Sequence, residues 1–458
     1  MTDPMNPFRP PTFSEVEPPQ PPPVEKSSLT ESVFTWGAPP LKYGPGAVDE
    51  IGYDVSRLGV RRVLVLTDPR IAATGLAARI GEALKAAGVD HELYDQVHCE
   101  PTDDSLRAAA AAATELAGAE AFDGFLAVGG GSVIDTAKAV NLLSTSGGDL
   151  MDYINKPVGG GLAPRKPTKP LIAVPTTAGT GSESTPVCVL DILGLKVKSG
   201  ISHPSLRPVL AVVDPLVTLS LPAAVTAASG MDIVCHALES YTARPYTSFL
   251  RHAADARVAY NGSNPVSDTW AEKALALIAR SFRRAVLVGT DLAARSDMMM
   301  AATFAGMGFG NAGVHIPHAC AYPIAGMVRD YRPAGYDVDE PMVPHGQSVS
   351  LTAPAAFRFT FPTDPDRHVR AASLLSGGRS SGGATADAAP ADRLPEALVA
   401  LMRDIGIPSG VAAVGFTSNE VDALVEGALK QQRLLNVAPR EVTAEDLAGI
   451  FQASLENW

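Results

Sequence analysis

The stretch GFLAVGGGSVIDTAKAV, residues 124–140, decides the fold of this chain. Its apolar run reads as a buried strand, Gly129, Gly130 and Gly131 mark a tight junction, and the remainder reads as a helix. Such a junction gathers backbone N–H groups and the positive end of a helix dipole at one point. A pyrophosphate would bind there, because side chains larger than hydrogen would hold it off. Glycines also serve plain turn geometry, and GGGSVID is not the usual G-x-G-x-x-G fingerprint.

Working outward, RRVLVLTDP (61–69) and HELYDQV (91–97) read as strands, with helices over Gly75–Ala87 and Asp104–Gly118. KPLIAVP (169–175) and VLAVVDP (209–215) supply further strands. This alternation predicts a doubly wound α/β domain with a parallel sheet over residues 31–215, of nucleotide-binding type. A second polar loop, PTTAGTGSES (175–184), again follows a strand, and the hydroxyls of Thr176, Thr177 and Ser182 can reach phosphate or ribose there. Asp68 ends the VLVLTDP strand, where an acid accepts ribose hydroxyls and repels a 2′-phosphate, favouring NAD over NADP; the plainer role for it is a helix N-cap.

Beyond VDPLVTLSLP (213–222) the texture becomes helical, so residues 216–458 read as an all-α domain, with Ser376–Ala391 a flexible loop between helices. Four residues of this half form a candidate metal set. Asp232 and His236, four apart in GMDIVCHALESY, stack on one helix face. His318 in IPHACAYP and His345 in VPHGQSV each follow a proline suited to the first turn of a helix. One carboxylate with three imidazoles suits Fe(II) or Zn(II) rather than calcium or magnesium. Among 9 histidines some Asp/His pairs arise by chance, so the upstream phosphate-type loops are what give a metal its chemical context.

The formal charge of −12 argues against nucleic acid or an anionic membrane as partner, and no apolar run reaches the roughly 18 residues needed to cross a bilayer. Cys99, Cys188, Cys235 and Cys320 are dispersed and read as reduced thiols. Residues 1–30 are Pro-rich and acidic, unlike a signal peptide or a mitochondrial presequence, and read as a disordered tail. Together these predict a cytoplasmic protein.

Taken as a set, GGGSVIDTAK, PTTAGTGSE, GMDIVCHALESY and PHG resemble the iron-containing (group III) alcohol dehydrogenase family from about Phe34 to Trp458. YNGSNPVSDTWA, FAGMGFGNAGVH and VPHGQSVSLTAPAAF resemble most its hydroxyacid-oxoacid transhydrogenase branch. The resemblance implies a dehydroquinate-synthase-like fold, with NAD and metal in a cleft between an α/β and a helical domain. It implies metal ligands at Asp232, His236, His318 and His345. Nucleotide contacts would fall on Asp68, Gly130, Gly131, Ser132, Thr176, Thr177, Thr185 and Lys198, the last of which could equally be a solvated lysine.

The transhydrogenase resemblance further implies hydride transfer through NAD from a 4-hydroxy acid such as 4-hydroxybutyrate to a 2-oxo acid such as 2-oxoglutarate, in a homodimer or higher homo-oligomer. The alternative is an alcohol dehydrogenase with exchangeable cofactor. Many family members carry a histidine four residues after the third ligand, where this chain has Tyr322; Tyr322 and His315 are the candidate catalytic residues, with core packing the plainer role for His315. The insertion MVRDYRPAGYDVDEP (327–341) is expected to shape the substrate pocket, and Arg244, Arg329 and Arg332 are candidates for binding a carboxylate.

Overall fold

A computed structural model describes residues 30–195, 197–254, 257, 260–336, 340–377 and 388–458. The expected tail and most of the expected loop at 376–391 lie outside these residues. Strands β1 (Leu41–Tyr43), β2 (Arg62–Leu66), β3 (Asp90–Tyr94), β4 (Gly124–Gly129), β5 (Leu171–Pro175) and β8 (Leu210–Val213) form one parallel sheet in the order β1-β8-β5-β4-β2-β3. β6 (Val187–Ile192) and β7 (Val197–Ser202) form a separate antiparallel hairpin.

The sheet is sandwiched because its strands are apolar on both faces. Val63 and Val65 of β2, Leu126 and Val128 of β4, and Ile172 and Val174 of β5 pack on one side with helices α1 (Ile51–Arg57) and α3 (Leu76–Ala86), past the short α2 (Pro69–Ala73). The alternate residues Leu64, Leu66, Phe125, Ala127, Leu171 and Ala173 pack on the other side with α4 (Asp103–Ala117) and α5 (Gly131–Ser146). Period-two alternation between two apolar environments is the mark of a buried parallel sheet. The hairpin departs from the expected strand-helix rhythm. VCVLDI and VKSGIS alternate in burial about a short turn at Leu193–Leu195, so they pair locally instead of entering the sheet.

After a short α6 (Leu150–Tyr153) and the last strand, the chain becomes helical. α7 (Ala223–Thr242), α8 (Pro265–Leu287), α9 (Leu292–Ala312), α10 (Ile316–Gly326), α11 (His345–Thr360), α12 (Pro365–Leu375), α13 (Arg393–Asp404), α14 (Val421–Leu429), α15 (Gln432–Leu435) and α16 (Ala444–Ala453) share one large apolar core. α7 is its axis: every residue from Gly230 to Thr242 is buried. A helix apolar on all sides is stable only inside a bundle, and here α8, α9 and α11 enclose it.

Residues 30–37, of which the sequence groups 31–37 with the α/β domain, run instead along the helical half as a strap. Glu31 N–H donates to the Phe249 carbonyl (2.8 Å), Arg257 Nη1 to the Val33 carbonyl (2.7 Å), and Asn261 Nδ2 to the Thr35 carbonyl (2.8 Å). Asn311 closes it by exchanging two 3.0 Å bonds with the Gly37 backbone. A segment lacking apolar periodicity has no face to bury, so polar contacts decide where it lies.

Candidate metal centre and nucleotide cleft

α7 presents Asp232 and His236 on one face, as their four-residue spacing dictates. Pro317 occupies the first turn of α10 and places His318 one position further in; Pro344 precedes α11, which begins at His345. The three helices converge on one carboxylate oxygen. Asp232 Oδ1 lies 3.5 Å from His236 Nε2, 3.5 Å from His318 Nε2 and 3.7 Å from His345 Nε2. A tetrahedral ion with bonds of about 2.1 Å has ligand-to-ligand edges of about 3.4 Å, close to these spacings. Asp232 Oδ1 and His318 Nε2 are buried and have no hydrogen-bond partner, a cost a bound cation would remove. The donor set fits a small divalent ion. Donor atoms of Asp232, His318 and His345 all lie within 4.8 Å of one another; His236, 3.5 Å from Asp232, is outside that mutual grouping, with its ring stacked on Phe309 at 3.9 Å.

A carboxylate that sequence reasoning passed over orients the centre. Glu239, one further turn along α7 and fully buried, accepts from His318 Nδ1 at 2.6 Å through Oε1 and from the His315 backbone N–H at 2.6 Å through Oε2. When the ring is neutral, as a metal ligand must be, that bond places its proton on Nδ1 and leaves the Nε2 lone pair facing Asp232. Its signal was present in D-x-x-x-H-x-x-E, where Asp232 and Glu239 are seven apart on one helix face. Burial alone would lower the pKa of His318, but the Glu239 and Asp232 carboxylates outweigh it and raise it to about 9. His236, buried with weaker compensation, falls to about 3 and is neutral. Burial opposes ionisation of Asp232, yet the surrounding imidazoles hold its carboxyl well below the usual range.

The cleft beside this centre is small, about 110 Å³, and lined by Gly131, Ser132, Thr185 and Lys198 as well as all four metal-set residues and Tyr322. Gly131 stands at the first residue of α5; a Cβ there would lie 2.6 Å from Thr180, so the two loops meet only through glycine. Gly130 is the N-cap of α5, beside Thr177, and Thr176 is buried with its hydroxyl unpartnered. Lys198 is buried, not solvated. Its ammonium sits between Glu100 (2.9 Å) and Asp191 (2.8 Å), which raise its pKa against burial. Thr185 Oγ1 accepts from Lys138, a fully buried lysine that also donates to Ser182 and to the Val187 carbonyl.

Other expected residues lie elsewhere. Asp68 Oδ1 accepts from the Arg70 and Ile71 N–H groups and caps α2, just after β2, and does not line the cleft. His315 is fully buried, bonded to Thr242 through Nε2 at 3.1 Å, and burial lowers it to about 4; it packs behind His318 and does not line the cleft. Tyr322 does line it, with its ring 6.3 Å from that of His345, and burial pushes its phenol up to about 12. The insertion at 327–341 contributes no described residue to the cleft wall; its Tyr331 packs against the helical core and accepts from Gln347 Nε2 at 2.8 Å. Arg244 bonds Ser248, Arg329 pairs with Glu420, and Arg332 is exposed; none lines the cleft. The arginine that does is Arg433, on the short α15, which no sequence pattern marks.

Two family models match the chain: iron-containing alcohol dehydrogenase over residues 39–215, and the C-terminal part of the Fe-containing alcohol dehydrogenase family over 247–455. It is 44% identical over 430 residues to "Hydroxyacid-oxoacid transhydrogenase, mitochondrial" of Bos taurus, spanning 93% of this chain and 91% of that protein. The protein of the same name from Homo sapiens is 43% identical over 435 residues, with the same shares covered. Among solved structures, a 1,3-propanediol oxidoreductase superposes with TM-score 0.79 at 31% identity, covering 92% of this chain and all of that one. An alcohol dehydrogenase from Oenococcus oeni gives 0.78 at 29%, with the same coverage. The names of these relatives correct one expectation: they are mitochondrial proteins, so the cytoplasmic placement inferred from reduced cysteines and the N-terminal composition does not stand. No helix among the described residues is long and apolar enough to cross a membrane. With both halves matched by its models and relatives above 40% identity along nearly the whole length, the chain belongs to the iron-containing alcohol dehydrogenase family of oxidoreductases.

Proposed function

We propose that this enzyme is a hydroxyacid-oxoacid transhydrogenase, which moves a hydride from a 4-hydroxy acid such as 4-hydroxybutyrate to a 2-oxo acid such as 2-oxoglutarate through a retained NAD. The observation that carries it is the identity of 43–44% over nine-tenths of the chain to proteins of that name, joined to a cleft where the proposed metal set and the α5 start share one wall. When bound, a divalent metal supplies polarisation of the substrate oxygen, and a nicotinamide supplies a reversible hydride acceptor.

The chain's residues supply the rest. Asp232, His236, His318 and His345 hold the metal, iron in this reading, and Glu239 keeps His318 aimed at it. Gly130, Gly131 and Ser132 receive the pyrophosphate at the α5 N-terminus, with Thr176, Thr177, Thr185 and Lys198 around the rest of the nucleotide and the second carboxylate oxygen of Asp68 toward its ribose. Tyr322, kept protonated by burial, donates a hydrogen bond to the substrate oxygen. The hydroxy acid loses a hydride from carbon and a proton from oxygen; the oxo acid regains both, so the cycle needs no outside oxidant. The assembly is a homo-oligomer in this reading.

Anaerobically purified protein tests it. Stoichiometric iron and bound NAD(H), with oxidation of 4-hydroxybutyrate that depends on added 2-oxoglutarate and not on added NAD, are the expected results. Turnover that requires free NAD and ignores the oxo acid would identify an ordinary alcohol dehydrogenase.

A further inference from the structure

Two cavities meet at a shared wall made by Tyr260 and Arg433. The smaller is the metal cleft; the larger, about 920 Å³, lies between the strap at 30–37, the segment after α6, and the residues around α15. Of the cations near the metal cleft, Lys198 is spent between Glu100 and Asp191, and Lys138 is buried behind Ser182. That leaves Arg433, which among the described residues has no carboxylate within ion-pair distance. Its guanidinium lies over the ring of Tyr260, 4.6 Å from the centroid.

Tyr260 is fixed in place to serve as this platform. Its φ of 66° lies in the left-handed region that a non-glycine residue occupies at a cost of about 1 kcal/mol or more. The next two residues hold it there, since Asn261 N–H donates to the Asn311 carbonyl (2.9 Å) and Gly262 N–H to that of Ala312 (3.0 Å). The larger cavity adds a field. Lys156, Arg244 and Arg257 line it together with Arg433, against the one carboxylate of Glu31 among the described lining residues, and Glu31 is already paired with Arg257 at 2.9 Å. On a chain of net charge −12, a cationic chamber that shares Arg433 with the metal cleft concentrates anions beside that residue.

We propose that Arg433, braced by Tyr260, binds the carboxylate of the substrate and so makes this site select acids over neutral alcohols. This rests on the hydroxyacid reading above and names the residue that enforces it. A guanidinium suits the role because its planar fork pairs with both carboxylate oxygens. Acids would arrive through the larger cavity and pass Arg433 to reach the metal.

The test compares 4-hydroxybutyrate with butane-1,4-diol, a neutral alcohol of equal chain length, in wild type, Arg433→Gln and Arg433→Lys, each checked for metal content and melting temperature. Arg433→Gln is expected to lower the acid-to-diol ratio of kcat/KM by about 100-fold, mostly through KM, while diol turnover holds within about threefold. Arg433→Lys restores part of the ratio, since charge remains without the fork. A folded, metal-loaded Arg433→Gln enzyme that keeps the wild-type ratio, or loses both substrates equally, overturns the assignment. A wild type indifferent to the carboxylate would instead refute the hydroxyacid reading itself.

Discussion

Glu239 shows how one side chain can orient a proposed metal ligand without belonging to the ligand set itself. It shares its two oxygens between the His318 ring and the start of α10, so it sets both the tautomer of one ligand and the entry of the helix that carries it. Glu239→Gln keeps the size and loses the charge; it should weaken metal affinity about 10- to 100-fold with the fold intact, measured by competition with a chelator. Unchanged affinity would show that His318 needs no such partner. At this scale much was legible in the sequence. The convergence of Asp232, His236, His318 and His345 was legible because carboxylate and imidazole recur at helical spacing and behind prolines; that they hold a metal belongs to the proposed function. Arg433 was not, because a single arginine on a four-residue helix carries no local pattern and acquires meaning only when the chain brings it 88 positions back to His345's cleft. The three arginines proposed instead lie near ligands in sequence but are turned to the surface or to other partners.

The contact between α7 and α11 is the element on which the centre depends. A Cβ at Gly346 would fall 2.1 Å from the Ala228 carbonyl oxygen and 2.7 Å from Asp232 Cβ, both on α7 and both buried. Neither can yield as a side-chain tip would. Gly346→Ala must therefore push the helices apart, separating His345 from Asp232, at a cost of about 1 to 3 kcal/mol. The expected result is a lower melting temperature and metal content below half of wild type; full loading would mean that the centre tolerates a shift of α11. Whereas the three-residue β1 is too short and too polar to announce itself, five of the six sheet strands were readable, four of them as apolar runs ending in glycine or proline. The β6-β7 hairpin was not, since strands alternating with helices lead one to expect parallel partners, and only local pairing across Leu193–Leu195 reveals it. That hairpin carries Lys198 into the cleft, so the omission concealed why a lysine there is buried.

Across the whole molecule, an α/β half that offers a helix N-terminus and a helical half that offers a metal set face each other over one cleft, and the strap at 30–37 borders the larger chamber behind it. Glu31 anchors that strap. Its carboxylate accepts from the His252, Val33 and Ser32 N–H groups and pairs with Arg257, bonds that together outweigh burial and hold its pKa at about 2, below the ordinary 4.5. A depressed carboxyl contributes stability that is complete above about pH 4.5 and is lost as pH falls toward 2. Glu31→Gln should cost about 2 kcal/mol at neutral pH, and the gap to wild type in thermal melts should close between those pH values; a gap independent of pH would contradict the anchor. The family and its two halves could be read from the sequence, whereas the strap could not, since nothing in its composition says which half it joins. The central claim is that one NAD, held in this cleft, carries the hydride from one acid to the other. The most direct measurement supplies 4-hydroxybutyrate deuterated at C4, unlabelled 2-oxoglutarate and excess free unlabelled NADH, then follows the label by mass spectrometry. Deuterium at C2 of the product hydroxy acid, with none in the free NADH, is the predicted result; deuterium washed into the free NADH pool would contradict it.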